Sequence, residues 1–141
     1  MPGRDFIQVA EELSGKESEP YWRSATSRAY YAAFHVAKDA LAQVGAKAVK
    51  NDKSHAFVIQ RLNNCGCTEF SKAASKLDRL RTSRNDADYD YAAKPFPKSQ
   101  AQLDIKQAKK IIENVEESQL ANKEQRIVEA LEEYRRRINR G

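Results

Sequence analysis

Ser27-Arg28-Ala29-Tyr30-Tyr31-Ala32-Ala33-Phe34-His35-Val36-Ala37-Lys38-Asp39-Ala40-Leu41-Ala42 decides the fold. Tyr30, Ala33, Phe34, Ala37 and Leu41, with Val44 beyond them, recur at helical spacing and form a core stripe. Ala25, Ala29, Ala32, Val36, Ala40 and Ala42 fill most of the remaining circumference. A helix that is apolar nearly all round buries more than one side. In so short a chain, the second burying surface is expected from another subunit. Alanines let two such helices approach closely, so a two-fold homodimer is expected. One polar stripe interrupts the pattern: Arg28, Tyr31 and His35, with Asp39 one turn further.

Helical periodicity continues on either side. A short amphipathic helix is expected over Asp5 to Leu13, and the long one begins at Pro20, which suits a first helical turn. Gly45 to Lys53 reads as a loop. Ser54 reads as the N-cap of a third helix ending at Leu62, and a fourth spans Glu69 to Tyr89. Pro95 and Pro97 keep Ala92 to Lys98 irregular, because proline disfavours helix in the residue before it. Ser99 reads as the cap of a fifth helix to Ser118, and Lys123 to Asn139 forms a sixth. No useful β alternation occurs. The expected fold is all-α: an up-and-down bundle of four to five helices over residues 1–118, with a charged amphipathic helix in 119–141.

The 141 residues suit one domain with a real core. Net charge is +5, a mild bias toward anionic partners that permits nucleic acid without requiring it. No apolar run approaches the ~20 residues that span a bilayer, and the N-terminus lacks a signal-type apolar region. A cytoplasmic protein without membrane contact, its thiols reduced, is expected. Cys65 and Cys67 are too close in sequence for a good disulfide and lack further metal ligands, so they read as two small loop thiols. No glycine-rich phosphate loop and no metal-ligand spacing is present, and no metal or cofactor is expected.

Polar chemistry concentrates in Arg81-Thr82-Ser83-Arg84-Asn85-Asp86-Ala87-Asp88-Tyr89-Asp90-Tyr91, which holds two arginines, three carboxylates and two tyrosines. Arg84 falls on the apolar stripe of Leu77, Leu80, Ala87 and Tyr91. It is either a core strut paired with an acid such as Asp88, or an anion-binding arginine in a cleft. Arg84 and Tyr89 stand about 140° apart on a regular helix. Both can face one substrate only at a helix end or with help from a second copy. His35 reads as a packing histidine or a general base, and His55 as a helix-start residue. Arg135, Arg136, Arg137 and Arg140 complement the dipole of the last helix.

Ser27 to His35, Lys53 to Val58 and Arg84 to Tyr91 together resemble the HEPN superfamily, in particular its small stand-alone prokaryotic members. Many of these are metal-independent endoribonucleases. Their signature reads Arg, usually Asn, three variable residues and His, with a trailing Tyr in toxin members, and their site forms across a dimer. The resemblance implies catalytic roles for Arg84, Asn85 and Tyr89, and substrate contacts from Arg28, Tyr31, His35, Arg81, Asp88 and Tyr91. Tyr89 stands at the histidine position, and tyrosine, with a reference pKa of about 10, shuttles protons poorly at neutral pH. Two functions follow. One is RNA cleavage, in a toxin–antitoxin or phage-defence system with a small nucleotidyltransferase as partner, where Tyr89 or His35 replaces the histidine. The other is a non-catalytic dimer that holds RNA, a nucleotide or a partner protein.

Overall fold

Six helices account for the computed structural model, which describes residues 3–48, 53–89, 95–120 and 124–140. They are α1 (Asp5–Ser14), α2 (Glu19–Gln43), α3 (Ser54–Asn63), α4 (Thr68–Tyr89), α5 (Lys98–Leu120) and α6 (Glu124–Arg140). No strand occurs among the described residues. None of the helices is long and apolar enough to cross a membrane.

Local chemistry sets the ends. Ser18 is extended before α2, and Pro20 lies in the first turn. At the other end Gly45 takes φ +95°, where a side chain would be strained, and Ala46 N–H reaches back to Leu41 O at 2.8 Å. Two expected caps move by a residue. Phe57 N–H already bonds Lys53 O, so Ser54 is the first helical residue and Lys53 takes the cap position without a side-chain bond. Gln100 N–H bonds Pro97 O, which makes Lys98 helical and displaces Ser99 as the cap. Pro95 to Pro97 are irregular, as proline requires.

The helices α2, α4 and α5 pack on one another, with α1 against α2 and α5, and α3 against α4 and α2. Tyr30, Ala33, Phe34, Ala37, Leu41 and Val44 are all buried, as the stripe requires. Ala25, Ala29, Ala32 and Ala40 are buried too, within a single chain. The second burying surface of α2 is therefore α1 and α5 rather than another subunit. Val36 is half-buried and Ala42 exposed, so the alanine face by itself demands no dimer. On α6, Ile127 and Leu131 join the same core.

Cys65 and Cys67 occupy the turn between α3 and α4, and both thiols are free and buried in the core. The Cys65 thiol donates to Leu62 O at 3.1 Å, and burial pushes its pKa up to about 11.

One buried carboxylate ties the three central helices. Asp104 Oδ2 accepts from the Thr26 hydroxyl of α2 (2.8 Å) and the Ser83 hydroxyl of α4 (2.6 Å), and Oδ1 accepts from the Gln100 amide (2.9 Å). Burial raises its pKa, partly offset by these bonds. A raised native pKa means the fold is most stable with the proton on. Stability then falls as pH rises from the ordinary carboxylate value of about 3.9 through the native one. Asp104→Asn should abolish that slope and keep most of the stability at neutral pH. Asp104→Ala, which leaves the buried Thr26 hydroxyl and the half-buried Ser83 and Gln100 donors without their acceptor, should cost about 2–3 kcal/mol. Urea unfolding across this pH range decides it: an Asn variant that follows the wild-type slope rules the assignment out.

Candidate functional site

The site sits on the last turns of α4, and a residue of α2 fixes that end. The final carbonyls of a helix have no partners within it and carry a partial negative charge. Arg23, buried on α2, donates from Nη1 to Asp86 O (3.0 Å) and Ala87 O (2.9 Å). Its guanidinium also lies 5.4 Å from the Phe96 ring centre and 3.5 Å from Glu19 Oε1. Glu19 in turn accepts from the Phe96 backbone N–H. One arginine thus binds the start of α2, the end of α4 and the Pro95–Pro97 segment. Sequence reasoning passed over Arg23; beside Trp22 near a helix start it reads as an ordinary surface cation.

Arg84 is held where the stripe put it, four-fifths buried among groups of its own chain. Nη2 donates to the Tyr31 hydroxyl at 2.7 Å and Nη1 to Asn85 Oδ1 at 3.3 Å. Its Nε lies 2.9 Å from Asp88 Oδ2, at an angle that makes an ion pair but no directed hydrogen bond. Three rings surround the guanidinium carbon: Tyr31 at 5.2 Å, Tyr30 at 5.7 Å and Tyr89 at 5.7 Å. Asp88 also accepts from the Ser27 hydroxyl at 3.3 Å. Arg84 is thus a strut, braced by Asp88 and lying against the ring of Tyr89, which is 72% exposed. Arg84 and Tyr89 meet within one chain. The long arginine spans the angle between them, and no second copy is required to bring them together.

A row of flat groups continues across α2. The His35 ring stacks on Tyr31 at 6.1 Å and on Phe6 at 5.8 Å, and the Arg28 guanidinium lies 5.9 Å from Phe6. Phe6, which the sequence did not single out, thus closes the row on α1. A Cβ on Gly3 would come 3.1 Å from both Ala32 O and His35 Cβ, so the chain before α1 presses on this edge. Desolvation lowers the His35 pKa, with Lys38 adding to the effect, so its imidazole is neutral at pH 7.

Beneath Arg84 runs a second polar chain. Tyr30, whose pKa burial pushes up to about 12, keeps its proton and donates to His55 Nδ1 at 2.8 Å. His55 Nε2 then faces Asp78 Oδ1 at 3.3 Å. His55 is thus a buried link between α2, α3 and α4, more than a helix-start residue. Arg81, one turn before Arg84, lies near enough for its charge to act on Tyr30 and His55. Of the expected residues, Arg84, Asn85, Tyr31, Asp88 and Tyr89 are gathered, with His35 and Arg28 along the row. Tyr91 lies outside the described residues. Among those described, no grouping of three His, Cys, Asp or Glu side chains could hold a metal ion.

The HEPN domain family model matches residues 3–118. No curated protein matches the chain.

Because Arg23 satisfies carbonyls at the end of α4, Arg23→Ala should cost about 3 kcal/mol and fray the last turn. Hydrogen exchange at the amides of 84–89 should accelerate well beyond that of 70–80. Equal acceleration of both stretches would mean that Arg23 stabilises the bundle as a whole and does not hold this end.

Proposed function

We propose, on the premise that this chain belongs to the HEPN domain family, that it acts on RNA through the Arg84 cluster. The observation that carries this reading is the guanidinium itself. It is pinned by Tyr31, Asn85 and Asp88, ringed by three tyrosines, and adjoins one exposed ring. A planar fork of this kind suits the two non-bridging oxygens of a phosphodiester. The exposed face of Tyr89 suits an unstacked base, as does the row through His35 to Phe6. Net charge of +5 favours the encounter.

Metal-independent cleavage is the second reading, and His35 favours it. A neutral imidazole can take the proton of a 2′-hydroxyl as that oxygen attacks phosphorus. Arg84 would hold the phosphoryl oxygens, and the leaving 5′ oxygen would take a proton from water. Asn85 bonds the guanidinium here and serves as a positioning residue. Tyr89, at the family's histidine position, fits base stacking better than proton transfer. A homodimer that pairs two motif helices remains part of the proposal. It rests on the family pattern and on the open Tyr89 rim, and light scattering at micromolar concentration tests it.

Filter binding with single-stranded RNA in EDTA tests the main reading. Tyr89→Ala should bind about tenfold more weakly, the scale of one lost stacked base, with an unchanged melting temperature. Arg84→Ala should lose more, and Arg84→Lys should recover only part, since a point charge replaces the fork. Wild-type affinity in both Arg84 variants would sink the assignment.

If the protein also cleaves, the rate should climb with pH and level off below the ordinary histidine value of about 6.5, because the His35 pKa is depressed. His35→Gln should abolish that profile while binding persists. A profile that survives in His35→Gln leaves His35 a packing residue.

A further inference from the structure

The end of α2, the middle of α3 and the exposed length of α6 enclose a cavity of about 290 Å³, separate from the Arg84 cluster. Its floor is apolar, with Val44 and Leu131 buried and Phe57 half-buried. Lys47, Arg61 and Arg135 line it, against Glu132 as its one acid. Among the described residues none of these cations has a carboxylate within ion-pair distance. Arg61 is instead fixed by rings, 3.9 Å from the centre of Phe57 and 5.1 Å from that of Tyr134. Among the described residues its side chain makes one long hydrogen bond, to Gln60 Oε1 at 3.4 Å. A guanidinium stacked in this way keeps its N–H edge free for a planar anion.

Three cations against one carboxylate leave a surplus of two positive charges around this space. A phosphomonoester carries about −1.5 to −2 at neutral pH, whereas a carboxylate or a phosphodiester carries one negative charge. The volume lies at the small end of ligand pockets, the scale of roughly one nucleotide. The apolar floor suits a ligand whose body is flat or hydrocarbon. We propose that this cavity binds a phosphomonoester on a small organic body of mononucleotide size. Arg61 and Arg135 engage the phosphate, Lys47 adds charge, and the body rests on Val44 and Leu131. Two sources share this chemistry: a free mononucleotide and the 5′-phosphate end of an RNA strand.

Calorimetric titration with AMP and with adenosine tests the site. AMP should bind and adenosine should bind at least about tenfold more weakly, since the charge-assisted bonds go to the phosphate. The rim variants Arg135→Gln and Lys47→Gln, whose side chains are exposed, should each weaken AMP by roughly fivefold or more without lowering the melting temperature. Arg84→Ala should bind AMP as the wild type does, which separates this site from the RNA reading above. Carried out in Arg84→Ala, a comparison of 5′-phosphorylated and 5′-hydroxyl oligonucleotides then distinguishes the sources. Preference for the phosphorylated strand assigns an RNA end; no preference, with AMP binding kept, assigns a free nucleotide. Equal affinity for AMP and adenosine, no binding of either, or loss of AMP binding in Arg84→Ala would overturn the proposal.

Discussion

Arg23 and the end of α4 form the joint on which the site depends. A helix terminus leaves carbonyls that must find donors, and here a buried guanidinium from another helix supplies them at Asp86 and Ala87. Arg84, Asp88 and Tyr89 all lie on the turns so fixed. Their side chains can converge only if that end of α4 stays helical and stays against α2. Glu19 and Phe96 reinforce the same point from either side, through an ion pair and a ring face. The bracing by Arg23 sits away from the Arg84 guanidinium, so the two arginines make separate sets of contacts.

Two polar chains with buried members hold the bundle in register, and α4 contributes to both. Thr26, Ser83 and Asp104 link α2, α4 and α5, while Tyr30, His55 and Asp78 link α2, α3 and α4. Each is satisfied by side chains from three different helices. Sliding any helix by a turn would leave buried donors or acceptors without partners, whereas alanine-on-alanine contacts would tolerate the slip. The alanine content of α2 allows close packing, and these polar chains decide which close packing forms.

Much of this was legible in the sequence because it is local. Helical spacing in α2 and α4 located both helices, and Arg84 on a leucine stripe marked a cation that must be explained. The likeness of three stretches to the HEPN superfamily agrees with a family match over most of the chain. Other features depend on which helices become neighbours. The burying partner of the α2 alanines turned out to be α1 and α5, which no pattern within α2 specifies. Arg23 and Phe6 acquire roles only through residues far along the chain. Ser54 and Ser99 have good capping chemistry, yet the first helical bonds start from Lys53 and Pro97, a difference of one residue that composition does not resolve.

Asp88 gives the Arg84 cluster a resident counter-ion. Any phosphate that reaches the guanidinium enters as one anion displacing another, and the displaced carboxylate keeps the Ser27 hydroxyl as a partner. On the reading proposed above, binding at this arginine is an exchange more than a neutralisation, and it contributes little to the release of ions condensed on an RNA. Simple anions such as chloride, which offer no bidentate geometry and no base to stack, have little to gain by making that exchange. The cluster is in this sense self-buffered: Asp88 already answers the charge of Arg84, and geometry rather than net attraction selects what replaces the answer.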